Sequence, residues 1–278
     1  MTWLYLLTPM GFRIRNVELK LLPPGRKPLR ILHFSDIHLT PRNSKMLAFI
    51  KSWSSLSPDL IISTGDHIAD ADSIPLLIDA LKPLSGIPSF YVFGSNDYYA
   101  PSFKNPLRYL MPDRGIRIHG PELPWPALDK GLKDLGWVKL HDLKIETEVS
   151  RTTLELRGTD DAHLTLDRYE TVKGRRASVD ISLGVTHAPY KRILDAMSLD
   201  GLDLILSGHT HGGQIRIPWF GKTKSLTTNC DLPTWRSRGL TKIENEPWLH
   251  VSAGLGVNPK TPFRLFCPPE ISLLQLVG

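Results

Sequence analysis

The feature that most constrains the fold of this chain is a repeat of short apolar runs, each of strand length and each followed by polar residues. Three such runs occupy residues 29–34, 59–63 and 89–93. The stretches between them, 44–56 and 73–81, are compatible with helices. Strand, polar loop and helix in repetition are typical of βαβ units around a parallel sheet.

The second half of the chain continues the pattern after an interruption. Residues 137–156 alternate between apolar and polar side chains, which is typical of antiparallel strands. Strand-like runs then return at 179–185 and 202–206 with a helical stretch between them. No shift in composition marks a linker. We therefore predict an N-terminal strand or edge segment over residues 1–28 and a single domain over residues 29–278, of the α/β class with two packed sheets flanked by helices.

Composition excludes several classes of protein. The 278 residues are 41% hydrophobic and 22% charged, which is ordinary globular usage and excludes disorder for most of the chain. Two cysteines cannot build a disulfide framework, and reduced thiols in a cytosolic protein are the expected state. The net charge of +6 is weak evidence for an anionic partner.

No apolar run approaches the ~20 residues that a membrane-spanning helix needs. The apolar stretch 3–10 is short, contains Pro9 and lacks the pattern of a secretory signal. We expect a cytoplasmic protein, with peripheral contact of this stretch with the inner face of a membrane left open.

Polar clusters follow five of the predicted strands directly. The carboxyl ends of strands in an open α/β sheet converge on one crevice, so residues far apart in sequence are expected to meet there. The clusters are Asp36-Ile37-His38, Gly65-Asp66, Asn96-Asp97, His187 and His209-Thr210-His211.

The residue types in these clusters indicate metal chemistry. Carboxylates and neutral imidazoles suit divalent ions such as Zn²⁺, Mn²⁺ or Fe²⁺. Three carboxylate or amide groups and four imidazoles are too many for one four-coordinate ion but suit two ions. Two ions roughly 3.5–4 Å apart can hold a hydroxide and clamp a phosphoryl group. We therefore hypothesise a hydrolase of phosphoesters with two divalent ions of Mn, Zn or Fe.

Taken together and in this order, the motifs resemble the calcineurin-like metallophosphoesterase superfamily. The resemblance runs from residue 36 to residue 211. The stretch 208–214 is most similar to the bacterial branch that includes cell-envelope phosphoesterases and UDP-diacylglucosamine pyrophosphatase-type enzymes. The resemblance implies a four-layer αββα sandwich of two mixed β-sheets flanked by helices.

The resemblance also implies roles for individual residues. The first metal would be bound by Asp36, His38 and His211, and the second by His187 and His209. Asp66 would bridge the two ions, and the nucleophile would be a hydroxide that bridges them rather than a side chain.

One motif departs from the family's pattern. The family has Gly-Asn-His followed by an acid, where this chain has Gly94-Ser95-Asn96-Asp97. Ser95 and Asn96 are alternatives for the second-metal ligand, and we predict Asn96 because an amide oxygen is the better neutral ligand. Asn96 and Asp97 are also predicted to be catalytic, and Ser95 to bind substrate.

The residue that protonates the leaving group stays open, because Asn96 cannot donate a proton as an acid. His67 is a candidate for substrate binding. For His67, as for His33 and His163, a surface or packing role is the simpler interpretation. A leaving group that needs no acid favours a pyrophosphate or an activated diester over an alkyl monoester.

Three functions follow from these observations. The leading one is hydrolysis of a phosphodiester or pyrophosphate bond in a small molecule, including nucleotide- and lipid-linked ones. The altered tetrad 94–97 favours a catalytically weak protein-interaction scaffold instead. A nuclease is the third, although no added nucleic-acid-capping region is visible, so a nucleic acid partner is not expected. The aromatic and basic segment 216–238 could grip an anionic headgroup or a base, or simply pack on the body of the protein.

Overall fold

The fold is described here from a computed structural model, which covers residues 11–102, 119–220, 222–242 and 245–278. The predicted membrane contact of residues 3–10 lies outside the described residues, as does most of the Pro-rich loop region predicted for 101–126.

Twelve strands form two six-stranded sheets. The first sheet has the order β1-β14-β2-β3-β4-β5, with β1 (Arg13–Lys20), β2 (Leu29–Phe34), β3 (Leu60–Ser63), β4 (Ser89–Tyr91), β5 (Val138–Lys139) and β14 (Glu270–Val277). The second has the order β12-β13-β9-β8-β7-β6, with β6 (Leu143–Val149), β7 (Thr152–Gly158), β8 (Ile181–Val185), β9 (Leu204–Ser207), β12 (Gly239–Thr241) and β13 (Trp248–Val251).

Both sheets are mixed. In the first, β2 to β5 run parallel, and β14 is antiparallel to β2 but parallel to β1. In the second, β13, β9, β8 and β7 run parallel, and β12 and β6 are antiparallel edges. A further hairpin of β10 (Arg216–Trp219) and β11 (Lys222–Ser225) stands apart from both sheets.

Helices cover the outer faces of the sheets. Strand β2 shows how the layers arise, because its side chains alternate between two faces. Leu32 and Phe34 pack with the helices, whereas Leu29 and Ile31 pack between the sheets. The first sheet is covered by α1 (Ser44–Lys51), α2 (Ser73–Leu81) and α4 (Trp125–Asp134). The short helix α3 (Ser95–Tyr98) follows β4. The second sheet is covered by α5 (Lys191–Leu199). The predicted αββα sandwich of two mixed sheets is confirmed.

Two elements end earlier than the sequence predicts. The helix predicted over 44–56 becomes a 3₁₀ turn after Lys51, where Ser52 and Ser55 side chains donate to backbone carbonyls and compete with the α-helical pattern. Strand β4 ends at Tyr91 rather than at residue 93, because the backbone N–H of Phe93 donates to the ring of His141 instead of to a neighbouring strand.

No helix among the described residues is both long and apolar enough to cross a membrane.

Candidate metal centre

The predicted ligands come from the carboxyl ends of four parallel strands, two in each sheet. Asp36 follows β2, Asp66 follows β3, His187 follows β8 and His209 follows β9. Contacts between the loops join the two sheets at this end, since the backbone N–H of His209 donates to Asp36 Oδ2 at 3.0 Å. The candidate site therefore straddles the sheets, where a strand crevice is expected to bind its ligand.

The backbone at the site is held in an uncommon conformation. A positive φ is rare for a residue with a side chain and is found most often where function requires it. Backbone hydrogen bonds between the loops hold this conformation, with Asp36 N donating to Gly65 O and His38 N to Asp66 O. The predicted ligands with positive φ are Asp36 (51°), His38 (44°), Asp66 (56°), His209 (66°) and His211 (50°).

Asp36, His38 and His211 form a first group that could hold a metal. One ligand atom from each lies within 4.8 Å of the other two. The Nε2 atoms of the two imidazoles are 3.2 Å apart, and His211 Nε2 lies 3.6 Å from Asp36 Oδ1. The structure thus brings together the three residues predicted for the first ion.

Asp36, Asp66 and His187 form a second group with the same spacing. Asp66 Oδ2 lies 3.4 Å from His38 Nε2 and 3.5 Å from His187 Nε2, so this oxygen stands between the two groups. His209 belongs to neither group, but its Nδ1 lies 3.3 Å from His187 Nε2. Asp66 Oδ2 thus lies near a predicted ligand of each ion, and Asp36 is the residue that the two groups share.

Backbone carbonyls fix the orientation of three of the imidazoles. A carbonyl can only accept, so a ring nitrogen that donates to it leaves the other nitrogen of a neutral imidazole able to bind a cation. The contacts are His187 Nδ1 with Thr64 O at 2.6 Å, His211 Nδ1 with Gly256 O at 3.2 Å and His209 Nε2 with Asn229 O at 3.2 Å.

Ring nitrogens of these histidines lie close to one another. His209 Nδ1 lies 3.3 Å from His187 Nε2, and His211 Nε2 lies 3.2 Å from His38 Nε2. Each of these pairs of nitrogens can share a proton or bind a cation. The donor set of this site therefore fits divalent ions of the borderline class.

The pKa directions describe the same charge balance. Burial lowers the pKa of His187, but the carboxylates of Asp66 and Asp36 raise it well above its usual value. Burial raises the pKa of Asp66, but His187 and His38 lower it well below its usual value. Burial lowers the pKa of His211, and His38 and Arg264 lower it further. Positive charge is thus favoured at His187, beside the carboxylates of Asp66 and Asp36, and disfavoured at His211, beside His38 and Arg264.

Within the altered tetrad 94–97, Asn96 contacts the candidate metal centre. Its backbone N–H donates to Asp66 Oδ1 and its side-chain amide to Asp66 Oδ2, each at 2.8 Å. Ser95 Oγ lies 3.4 Å from the same amide, and both residues line the cavity described below. Asn96 is therefore the member of the pair in contact with the second group.

Asp97 is fully buried and does not line the cavity. Its carboxylate accepts the backbone N–H groups of Asp66 at 2.9 Å, His67 at 2.7 Å and Gly94 at 3.0 Å. These contacts join the loop after β3 to the loop after β4. They place Asp97 behind the metal centre, whereas the sequence predicts that it acts in the reaction itself.

The structure does not bring His67 to the cavity. The side chain is fully buried, with Nδ1 3.0 Å from Asp97 Oδ2 and Nε2 2.7 Å from Ser63 Oγ. Its ring packs edge-on against Phe34, Tyr91 and Phe93. This geometry gives His67 the packing role that the sequence left as the simpler interpretation.

A cavity of about 260 Å³ opens beside the metal centre. On one side it is lined by His38, Asp66, Asn96, His209 and His211. Uncharged side chains contribute to the rest of its wall, among them Gln214, Ile215, Leu226, Thr227, Thr261 and Phe263. A small organic phosphoester can therefore present its phosphoryl group to the centre and its organic group to this wall.

His163 lines the same cavity, which sequence reasoning did not predict. Its ring centroid lies 4.6 Å from that of His209, and its Nδ1 lies 3.0 Å from Tyr190 Oη. The available signal was its place shortly after β7, which runs parallel to β8 and so ends at the crevice. The alternating pattern of residues 137–156 predicts antiparallel strands only. That prediction is correct for the pairing of β6 with β7.

Arg264 is a second residue without a sequence signal. It is buried and donates to the carbonyls of Ala253, Gly254 and Gly256. Gly256 is the residue whose carbonyl orients His211. Arg264 thus supports the loop that fixes this imidazole.

Comparison with known proteins gives a consistent result. The sequence model of the calcineurin-like phosphoesterase family matches residues 29–213. The chain is 28% identical to the YpbG protein of Bacillus subtilis over 258 residues, which is 91% of this chain and 83% of that protein. It is 26% identical to the phosphodiesterase YaeI of Escherichia coli over 276 residues, which is 97% of this chain and 90% of that protein.

A third relative is larger. The chain is 29% identical over 269 residues to a bovine transmembrane protein with a metallophosphoesterase domain. The match covers 94% of this chain but only 56% of the bovine protein.

Proposed function

The chain belongs to the calcineurin-like phosphoesterase family, and on that premise we propose that it hydrolyses a phosphodiester or pyrophosphate bond of a small molecule with the help of two divalent ions. The proposal rests on the two groups of candidate metal ligands, which share Asp36. Within each group the ligand atoms lie within 4.8 Å of one another. The name of the relative YaeI, a phosphodiesterase, supports the diester class.

In this proposal each ion has its own ligands. The first would be held by Asp36, His38 and His211. The second would be held by His187, His209 and Asn96, with Asp66 as a ligand of both. Two divalent ions at such a centre supply hydroxide from water near neutral pH and offset the charge of a phosphoryl group.

The protein's own groups hold and orient this centre. The carbonyls of Thr64, Gly256 and Asn229 keep His187, His211 and His209 turned with one nitrogen towards it. Asp97 fixes the backbone around Asp66 and is a positioning residue in this proposal. Carbonyls and carboxylates behind metal-binding groups raise metal affinity and activity by orienting the ligands.

The substrate is proposed to be a small phosphoester rather than a nucleic acid. The cavity wall away from the metal centre carries the uncharged side chains of Gln214, Ile215, Thr261 and Phe263. Such a wall suits an organic group, whereas a nucleic acid backbone is bound mainly by Lys and Arg. Asn96 cannot protonate a leaving group, so the favoured substrates have leaving groups that depart without an acid.

The test is metal content of the purified protein together with Mn²⁺-stimulated hydrolysis of bis-p-nitrophenyl phosphate, p-nitrophenyl phosphate and a nucleotide pyrophosphate. We expect about two ions per chain and turnover that is lost in Asp66→Ala. Asp79→Ala is the matched control, because Asp79 lies on the exposed side of α2, where it forms surface ion pairs with Lys51 and Lys82. The ratio of diester to monoester turnover then narrows the substrate class.

The substitution of the family's histidine by Asn96 is a specific observation in favour of a second function, a protein-interaction scaffold that binds metal. Bound metal without turnover on any of the three compounds would establish the scaffold and would overturn the hydrolase. Turnover with single- or double-stranded DNA in preference to the small compounds would establish a nuclease instead.

A further inference from the structure

The hairpin of β10 and β11 carries a run of apolar side chains that the fold does not bury. Ile217, Pro218, Trp219 and Phe220 are consecutive and all exposed. Phe220 is 90% exposed at the turn and Trp219 is 56% exposed beside it. Runs of exposed apolar residues do not stabilise a folded domain and indicate a surface that meets a partner.

A third exposed aromatic side chain, Trp235, lies near the hairpin. The 3₁₀ turn Thr234–Arg236 lies against β11, and Trp235 in that turn is 58% exposed. We call Ile217, Trp219, Phe220, Leu226 and Trp235 the hairpin patch. Five of the large exposed hydrophobic side chains of the described chain thus come from nineteen consecutive positions, 217–235.

Cations accompany the hairpin patch. The segment 216–238 contains five Lys and Arg residues against one Asp. Lys224 is exposed, with its ammonium group 5.8 Å from the ring centroid of Trp219. Arg216 and Arg236 are buried, and Arg236 pairs with Glu246, so the charge offered to a partner comes from Lys224 and not from these two arginines. Tryptophan and lysine in this arrangement have an apolar body and a polar or charged end.

The base of the hairpin is joined to the metal centre. Arg216 is buried and donates to the carbonyl of Gly212, the residue after His211. The same side chain donates to Thr223 on the opposite strand, which ties β10 to β11. Ile215 and Leu226, which flank the two strands, line the cavity. These contacts of Arg216 therefore fix the position of the hairpin, so that its apolar turn lies near the cavity.

We infer that the hairpin patch docks on the surface of an anionic lipid bilayer. Tryptophan is favoured at the headgroup level of membranes, and each nearby Lys or Arg adds about 1 kcal/mol of attraction to an anionic leaflet. Docking brings the cavity to the bilayer surface, where phosphoesters that carry an acyl or other apolar group reside.

This inference concerns binding and does not depend on the proposed hydrolysis, so either can fail without the other. The experiment is co-sedimentation of the full chain with vesicles of phosphatidylcholine alone and of phosphatidylcholine mixed with phosphatidylglycerol. We expect binding to the mixed vesicles, weaker binding to the neutral ones, and loss of binding as salt is raised.

Variants locate the binding surface. Trp219→Ser combined with Phe220→Ser should weaken binding to the mixed vesicles by about tenfold or more, since each insertion of an aromatic ring contributes over 1 kcal/mol. Lys224→Gln should weaken it by about fivefold. Leu199→Ser is the matched control, because Leu199 is 87% exposed but lies on α5 on the outer face of the second sheet.

Quenching of tryptophan fluorescence by brominated lipids gives an independent readout, and Trp219→Phe should reduce it. Binding that is unchanged in the Trp219 and Phe220 double variant would overturn the inference and would direct attention to residues 3–10. Absence of vesicle binding, with self-association that the same double variant abolishes, would also overturn it and would make the hairpin patch an interface between copies.

Discussion

The carboxylate of Asp97 accepts the backbone N–H of Asp66 at 2.9 Å, so the loop after β4 sets the position of the carboxylate that stands between the two ligand groups. The same carboxylate accepts from the backbone of Gly94 and His67 and from the His67 ring. Each of these hydrogen-bond partners of the Asp97 carboxylate is thus a backbone N–H group or the ring of His67.

The hydrogen bonds that the Asp97 carboxylate accepts predict how Asp97→Asn changes metal affinity and turnover. An amide NH₂ group in this position faces donors, so the loops shift and Asp66 moves with them. We expect metal affinity and kcat/KM to fall by about 10–100-fold, the range for groups that orient metal ligands. Metal titration and steady-state kinetics measure both. Asp79→Asn should leave both unchanged, and unaltered affinity in the Asp97 variant would refute the positioning role.

Gly94 provides a steric test of the site. A Cβ atom here would lie 2.3 Å from Asp66 Oδ1 and 2.6 Å from the ring of His187, and the φ of −114° allows any residue. Gly94→Ala should therefore displace these side chains and lower turnover by about 100-fold, because misplacement of about 1 Å has an effect of that size.

Gly136→Ala is the matched control for that substitution. Nothing lies within 4 Å of its added Cβ, but its φ of 86° disfavours alanine by roughly 1–2 kcal/mol. We expect the control to lower the unfolding temperature and keep kcat. Full turnover in the Gly94 variant would show that the side chains at the centre tolerate displacement.

Metal binding should also stabilise the fold, since the ligands come from both sheets. Removal of metal with a chelator should lower the unfolding temperature, and Mn²⁺ at about 100 times its Kd should restore roughly 2.7 kcal/mol. His187→Ala removes a ligand of the second group and should lower both the metal content and this stabilisation. Calorimetry with and without Mn²⁺ measures the difference, and an equal shift in His187→Ala and wild type would count against the ligand assignment.

A pH dependence is expected at Asp129 on α4. Burial alone raises the pKa of its carboxyl, but Lys133, Tyr91 and Lys139 lower it to about 2. A lowered carboxyl pKa stabilises the folded state fully above the unfolded pKa of about 3.9. This contribution is lost as the pH falls through about 2. Wild type should exceed Asp129→Asn in urea midpoint at neutral pH, and the difference should shrink between about pH 4 and pH 2. A difference that is constant over this range would exclude the charge as its cause.

The sequence predicts the architecture well where periodicity is strong. The helix over 73–81 has the predicted bounds, and β2 and β3 lie where apolar runs of strand length predict them. The gathering of residues 36, 66, 187 and 209 also follows from sequence alone, because parallel strands direct their carboxyl ends to one edge.

The features of the fold and the site that the sequence does not predict depend on contacts between segments far apart in the chain. That β7 pairs parallel with β8 and not only antiparallel with β6 is not visible in its own alternation, so the sequence favours a surface or packing role for His163 over a place in the cavity. The buried position of Asp97 arises from donors 30 residues away on another loop. Positive φ at Asp36 and His209 is imposed by bonds between loops and leaves no mark on residue type.

The place of β14 has a consequence for the order in which the protein can mature. This strand lies between β1 and β2, so the first sheet is completed only when residues 270–277 are available. The backbone of residues 255 and 256, just before this strand, also donates to the carbonyls of Ser35 and Asp36. A chain that has not yet been extended through residue 256 therefore lacks this support for its Asp36 loop. A chain truncated before β14 also lacks the strand between β1 and β2, and we expect it to show neither the metal binding nor the turnover of the full chain.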